Sequence, residues 1–308
     1  MGLALLFPGQ GAQHPGMLPW LWTQPEAAPL LDRLEALLDA GWRERLRDPA
    51  WASANAVAQP LLTGIGLAAW RVLAARLPTP VVVAGYSVGE LAAFAVAGAI
   101  GEDLALPLAV ERAALMDQAV AGQDTGLMSV QGQGALSLTS AAVVRAAPGL
   151  SIAIRIDESR VIVGGHVALL DAHAARWREE GLRCARLPVA VASHTPLMAS
   201  AATGFAHRLA ALGLNAPRVS VVCDFNAAAT RNPGALAAAL AGQIASTIRW
   251  DEVMDSVAER GVSCVLEVGP GAALAGMWRE RHPRIPVRSI DEFQGPEGVS
   301  AWVRGQMA

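Results

Sequence analysis

The fold is decided by the stretch Val81-Val82-Val83-Ala84-Gly85-Tyr86-Ser87-Val88-Gly89-Glu90. Its first four residues have the apolar, β-branched character of a buried strand, and the run 90–99 is typical of an apolar helix. Between them lies Gly-x-Ser-x-Gly, the pattern of a sharp turn in which glycines relieve the crowding around a strained serine. The stretch therefore predicts an α/β protein that presents Ser87 beyond the end of a strand.

A serine in this position is a candidate nucleophile, because the helix N-terminus beside it favours developing negative charge. A serine hydroxyl is weakly reactive by itself and needs a base. His194, in Ser193-His194-Thr195-Pro196, stands where an extended segment gives way to a helix and is the favoured base. His282 stays open as an alternative, with Asp224 as the acid of a hydrolase triad. The remaining histidines fall on predicted loops or helix faces: His14, His166, His173 and His207.

Strands and helices alternate along both ends of the chain, which is typical of a parallel α/β sheet. After Gly122 the order changes to strand–helix–strand–strand–helix–strand, the split βαβ pattern of a ferredoxin-like unit. The helices of this unit are predicted at 136–147 and 167–180. We therefore expect a catalytic domain formed by 1–122 and 190–308, with a ferredoxin-like subdomain at 123–189 inserted into it.

Composition excludes several classes of protein. The chain has 308 residues, a net charge of −3 and no lysine, so neither a basic nucleic-acid surface nor a lysine Schiff base is expected. Three cysteines outside any Cys-x-x-Cys pattern argue against a disulfide framework or a zinc site. The longest uncharged stretch, 49–70, is too polar for a membrane span. These features predict a soluble, cytoplasmic protein.

Five motifs carry a resemblance to a known family. In chain order they are Phe7-Pro8-Gly9-Gln10-Gly11-Ala12-Gln13, Gly85-Tyr86-Ser87-Val88-Gly89-Glu90, Glu111-Arg112-Ala113-Ala114-Leu115-Met116, Ser193-His194-x-x-Leu197-Met198 and Glu267-Val268-Gly269-Pro270-Gly271. Over residues 3–278 the sequence thereby resembles the malonyl-CoA:acyl carrier protein transacylases. The resemblance implies an α/β-hydrolase-like core with a ferredoxin-like insertion.

The resemblance also implies roles for single residues. Ser87 would be the nucleophile and His194 its base, in a dyad without a carboxylate. The backbone carbonyl of Gln243 would orient the imidazole. The oxyanion hole would comprise Gln10 and the backbone N–H of Val88.

Arg112 would bind the free carboxylate of a malonyl group, because a guanidinium pairs with a carboxylate through two hydrogen bonds. Without the resemblance, an ion pair with Glu111 or Asp117 on a helix surface would be the better interpretation of this arginine. An acyl-enzyme ester must be kept from water, so an apolar pocket is expected. Its possible lining residues are Met116, Leu197 and Met198.

Two features resemble one branch of the family, the acyl-transfer (epsilon) subunit of malonate decarboxylase. They are Tyr86 before the nucleophile and the tail 286–302. This resemblance implies ping-pong transfer of malonyl from malonyl-CoA to the phosphopantetheine-type thiol of a small carrier subunit. It also implies contact with other decarboxylase subunits and no permanently bound cofactor or metal. The composition predicts neither a nucleic acid nor a membrane as partner.

Three alternatives stay open. The first is the malonyl-CoA:carrier-protein transacylase of fatty-acid or polyketide synthesis, with the same reaction and another acceptor. The second is an esterase that uses Ser87, Asp224 and His282. The third is a scaffold subunit that has the fold without the activity.

Overall fold

The computed structural model describes residues 2–132 and 147–308, and two β-sheets organise them. The first sheet has the strand order β11-β10-β1-β2-β7-β8. Its strands are β1 (Gly2–Phe7), β2 (Val82–Gly85), β7 (Ser220–Val222), β8 (Ala229–Thr230), β10 (Val262–Glu267) and β11 (Val287–Ser289). The second sheet has the order β6-β3-β5-β4-β9. Its strands are β3 (Thr125–Gln131), β4 (Ser151–Arg155), β5 (Arg160–His166), β6 (Arg183–Arg186) and β9 (Ile248–Arg249).

Helices pack against the two sheets and connect their strands. They are α1 (Ala28–Leu38), α2 (Trp42–Arg45), α3 (Pro49–Ser53), α4 (Asn55–Ala74), α5 (Gly89–Ala97), α6 (Glu102–Ala119), α7 (Val167–Glu179), α8 (Ala199–Leu212), α9 (Pro233–Gly242), α10 (Trp250–Ala258), α11 (Ala273–Arg281) and α12 (Pro296–Met307). Short 3₁₀ turns lie at Pro19–Thr23, Pro196–Met198, Gln243–Ala245 and Ile290–Glu292.

The central strands of the first sheet run parallel. β1 pairs with β10 on one side and with β2 on the other, and β2 pairs in turn with β7. All six residues of β1 and all four of β2 are buried, as expected for parallel strands covered by helices on both faces. The prediction of an α/β fold with a parallel sheet is confirmed. Because parallel strands end at the same edge, the segments after β1, β2 and β7 converge there.

The second sheet lies over that edge. One face packs against α7 through Leu170, Ala174 and Trp177. The other face contributes Leu127 and Ile162 to the hydrophobic cluster that contains strand residues of the first sheet.

The order of elements in this sheet follows the sequence expectation, although its fifth strand, Ile248–Arg249, comes from the C-terminal part of the chain. The predicted helix at 136–147 lies outside the described residues, apart from Ala147. The domain boundaries at 122–123 and 189–190, and the ferredoxin-like type, stay predictions.

Helix α4 runs for 20 residues, from Asn55 to Ala74. Within the described part of the chain it is the one helix long and apolar enough to cross a membrane. Of its most apolar 18-residue segment, 83% is buried inside the fold. It packs between α1, α5 and α6. Its apolar surface is therefore used for the core, and the helix also brings three polar side chains, Asn55, Gln59 and Thr63, into the interior.

Candidate active site

The turn after β2 holds Ser87 in a strained conformation. Its φ of 56° lies in the left-handed region that side chains disfavour. The neighbouring glycines are required by space: a Cβ on Gly85 would lie 2.1 Å from the Gly89 carbonyl carbon, and one on Gly89 would lie 2.2 Å from the Phe7 oxygen. Strain of this kind persists only where surrounding contacts enforce it, and it is characteristic of functional sites.

The structure brings His194 to this serine. Ser87 Oγ and His194 Nε2 are 2.8 Å apart, and His194 Nδ1 is 2.6 Å from the backbone oxygen of Gln243. A carbonyl oxygen only accepts, so Nδ1 carries the imidazole proton and Nε2 is free to accept from the serine hydroxyl. His194 also has a positive φ of 61°, and its backbone N–H donates to the Ile244 carbonyl. The imidazole is therefore held as the neutral tautomer that a general base requires.

Burial lowers the pKa of His194 to about 3, and the positive charge of Arg112 acts in the same direction. The hydrogen bond to the Gln243 carbonyl only partly offsets this. A carboxylate partner would stabilise the imidazolium, whereas a backbone carbonyl supplies orientation without a full negative charge.

We expect kcat/KM for malonyl-CoA to stay flat from pH 8 down to about pH 5. A base must be neutral to act, and a folded pKa near 3 keeps His194 neutral throughout this range. Stopped-flow acylation at constant ionic strength measures the profile. A fall to half the plateau near pH 6.5, the ordinary histidine value, would contradict this environment for the base.

Arg112 lies inside the protein, with 1% of its surface exposed. Its Nη1 donates to Gln59 Oε1 at 2.7 Å, and its Nη2 lies 3.3 Å from Ser87 Oγ and 3.5 Å from Gln243 Oε1. Burial lowers its pKa to about 10, so it stays a cation at neutral pH. The guanidinium therefore presents a positive charge beside the nucleophile.

The surface ion pair considered for Arg112 does not form. Glu111 pairs with Arg208 at 2.8 Å, and the Asp117 carboxylate accepts from Asn55 at 2.6 Å.

Two backbone N–H groups stand near Ser87 as candidate oxyanion donors. Val88 precedes helix α5, and no hydrogen bond within residues 2–132 and 147–308 uses its N–H. The Gln10 side chain is already engaged, because its Nε2 donates to the Ser53 carbonyl at 2.6 Å. Gln13 binds the neighbouring carbonyl of Ala52 in the same way, which ties the loop after β1 to helix α3. One hydrogen of the Gln10 amide is thereby used, and the backbone N–H of Gln10 is the second candidate donor beside that of Val88.

The site contains one cavity of about 320 Å³ between the two sheets. Ser87, His194, Arg112 and Gln10 lie at its first-sheet side. Its other side is mainly apolar and is formed by Leu127, Ser129, Ile154, Ile156, Ile162, Leu187 and Val189. Across residues 2–132 and 147–308, no group of three or more His, Cys, Asp or Glu side chains could hold a metal ion.

Of the three predicted lining residues, Met116 lies on the cavity. Leu197 and Met198 are not among its lining residues. The 3₁₀ turn Pro196–Met198 directs Met198, which is fully buried, into the hydrophobic core, and Leu197 packs against that core.

The alternative triad is not assembled. His282 lies at the end of α11, 3.1 Å from Asp255 and in contact with the Trp278 ring, and it is absent from the cavity lining. Asp224 accepts the backbone N–H of Ser87 at 2.6 Å and makes no hydrogen bond to a histidine. The geometry therefore does not support an esterase in which His282 is the base.

Sequence reasoning missed Gln59 as a site residue. It is 1% exposed, and it holds Arg112 through Oε1 while its Nε2 lies 3.5 Å from Met116 Sδ. The available signal was a single glutamine within a long apolar helix, where burial requires a polar partner. Glu90 was noticed only as part of the turn motif, although it is fully buried beneath Ser87.

The comparisons with known proteins agree on one family. Residues 4–287 match the Acyl transferase domain family. The Malonyl CoA-acyl carrier protein transacylase of Mycobacterium tuberculosis is 33% identical over 297 residues, covering 94% of this chain and 96% of the relative. The enzyme of the same name from Escherichia coli K12 is 30% identical over 301 residues, with 94% and 96% covered.

Solved structures agree with this. The acyl-carrier-protein S-malonyltransferase of Burkholderia pseudomallei superposes with a TM-score of 0.88 at 28% identity, over 98% of this chain and all of the other. A type II PKS acyl-carrier protein in complex with its malonyl-transacylase contains a chain of TM-score 0.87 and 25% identity, covering 98% of this chain and 99% of that one. The chain belongs to the acyl transferase family that contains the malonyl-CoA–acyl carrier protein transacylases.

Proposed function

We propose that this protein transfers malonyl from malonyl-CoA to the thiol of an acyl-carrier protein, through a malonyl ester on Ser87. The observation that carries the proposal is the buried Arg112 guanidinium, 3.3 Å from Ser87 Oγ. A fixed cation at this distance matches the carboxylate that malonyl has and acetyl lacks. The two relatives described above bear the name of this activity.

In the first half-reaction, Ser87 Oγ attacks the thioester carbonyl while its proton passes to His194 Nε2. The backbone N–H groups of Val88 and Gln10 would stabilise the tetrahedral oxyanion, and such a donor is typically worth about 10²–10³ in rate. The carbonyl then re-forms, the C–S bond breaks, and CoA leaves with the proton from His194.

In the second half-reaction, the carrier thiol gives its proton to His194, and its sulfur attacks the ester. The C–O bond breaks and Ser87 regains the proton. The apolar wall formed by Leu127, Ile154 and Ile162 would limit the access of water to the ester.

A cytoplasmic location belongs to the proposal, because the three cysteines are free.

The acceptor is the finer part of the proposal. The names of the relatives support a carrier protein of fatty-acid or polyketide synthesis, which the sequence offered as the alternative acceptor. The carrier subunit of malonate decarboxylase, which the sequence favoured, is the second candidate because of Tyr86 and the tail 286–302. Tyr86 lines the catalytic cavity and packs edge-on against Trp250.

A competition assay tests the acceptor. Malonyl-loaded protein is mixed with equal concentrations of a phosphopantetheine-bearing acyl-carrier protein and a decarboxylase carrier subunit, and each product is quantified by mass spectrometry. We expect the acyl-carrier protein to be loaded at least tenfold faster. A tenfold preference for the other carrier would favour the decarboxylase role. An ester on Ser87 that neither carrier can accept would contradict carrier transfer altogether.

A further inference from the structure

Two buried carboxyl groups beneath the nucleophile have no role in the mechanism above. Asp224 follows β7, and its Oδ2 accepts the Ser87 N–H at 2.6 Å. The N–H of Asp224 itself donates to Glu90 Oε1, at 2.8 Å, from the first turn of α5. Both residues are fully buried. A chain of two hydrogen bonds therefore links α5 to the segment after β7 and to the backbone of the nucleophile.

The Ser87 peptide needs such a restraint. A φ of 56° is unfavourable for serine, and the N–H of this residue would lose a hydrogen bond inside the protein if Asp224 were absent. On the carbonyl side, Ser87 O accepts from the Glu90 backbone N–H at 3.1 Å and from Gln243 Nε2 at 3.4 Å. Asp224 provides the shortest of these three contacts, and it acts on the residue whose Oγ must meet His194.

We propose that Asp224 is a positioning residue for Ser87 and acts as a neutral hydrogen-bond acceptor that Glu90 holds in place. The inference rests on the proposed function, in which Ser87 is the nucleophile. It assigns Asp224 a role different from that of a triad acid, because its carboxyl group contacts the serine backbone and not the imidazole.

The surroundings favour the neutral form. Burial raises the pKa of Asp224, and the neighbouring Glu90 adds to the effect; burial also raises the pKa of Glu90 to about 8. Arg112 is the cation that faces the pair, and His194 is neutral at physiological pH. Asp224 Oδ1 and Glu90 Oε2 are buried and, within the described residues, have no hydrogen-bond partner, which is unfavourable for two full charges.

Neutrality also suits the reaction. Negative charge develops on the substrate oxygen during attack, and a carboxylate fixed beneath Ser87 would oppose it, whereas a neutral acceptor would not. The carbonyl oxygen of a protonated carboxyl group still accepts an N–H. Asparagine has the same shape as a protonated aspartate, so Asp224→Asn keeps the hydrogen-bond acceptor and can carry no charge. Asp224→Ala removes the acceptor altogether.

The test measures kcat and KM for malonyl transfer with the full-length variants. We expect Asp224→Ala to lower kcat about 30- to 100-fold with KM for malonyl-CoA changed less than threefold. We expect Asp224→Asn to stay within fivefold of the wild-type kcat, with the same pH profile. Asp251→Ala is the matched control, since Asp251 on α10 is 8% exposed and accepts from Arg155 on β4, and its kcat should stay within twofold.

Three results would overturn the inference: a wild-type kcat in Asp224→Ala, equal losses of kcat in Asp224→Asn and Asp224→Ala, or a changed pH profile in Asp224→Asn. Circular dichroism and thermal melting verify that each variant is folded. If Asp224→Ala does not fold, a hundredfold loss of kcat in folded Asp224→Asn still overturns the neutral acceptor. A wild-type protein that forms no malonyl ester would instead refute the proposed function, so the two failures are distinguishable.

Discussion

Replacement of His194 by alanine is expected to lower the rate of malonyl-enzyme formation at least about 10³-fold. The imidazole is the group placed 2.8 Å from Ser87 Oγ with its acceptor nitrogen free, so its loss leaves an un-ionised serine hydroxyl. Losses of this size or larger are found when the base of a serine enzyme is removed. Single-turnover quenched flow with malonyl-CoA measures the acylation rate directly.

His282→Ala is the matched control for this prediction. His282 is bound to Asp255 and is not part of the catalytic cavity, so its replacement should change acylation less than twofold. Equal losses in the two variants would contradict the Ser87–His194 dyad. A large loss of the acylation rate in His282→Ala alone would instead support the esterase hypothesis, in which His282 is the base.

Arg112→Leu is expected to reverse the acyl preference. Malonyl loading should fall about 10²–10⁴-fold, because the malonyl carboxylate would be buried without a partner, a change that typically costs about 3–5 kcal/mol. Acetyl has no carboxylate, so its loading should change less than about fivefold. Acylation rates with malonyl-CoA and acetyl-CoA, measured side by side, give the ratio.

Two further variants separate binding from structure. Arg112→Lys keeps the charge and loses the forked geometry, so it should recover only part of the malonyl rate. Arg208→Leu removes an exposed arginine whose partner, Glu111, is next to Arg112, and should leave both rates within twofold. If Arg112→Leu lowers malonyl and acetyl loading equally, the arginine acts by holding Gln59 and Gln243 and not by binding the carboxylate.

The sequence predicted those features that depend on neighbouring residues. The glycines around Ser87 are a local requirement of the turn. The turn, the strand before it and the helix after it could therefore be predicted from about ten residues. His194 was likewise favoured from its position between an extended segment and a helix. The parallel sheet followed from the alternation of apolar runs such as those at β1 and β2.

Features set by distant contacts could not be predicted in this way. Gln59 meets Arg112 across 53 residues, and Asp224 meets Ser87 across 137 residues, so neither pairing leaves a local pattern. Strand β9 has only two residues and depends on pairing with β4 for its existence. The place of Asp224 after a strand makes it a candidate acid for the alternative hydrolase triad, and only the fold shows that its carboxyl group contacts the serine backbone.

The most direct test of the central claim is the intact mass of the protein after brief exposure to malonyl-CoA or acetyl-CoA, with Ser87→Ala alongside. We predict one malonyl-sized increase for the wild type, none for Ser87→Ala and far slower labelling by acetyl-CoA. The Arg112 guanidinium beside Ser87 Oγ is the physical reason for this selectivity. Absence of the adduct from wild type, its persistence in Ser87→Ala, or equal labelling by both thioesters would contradict the account.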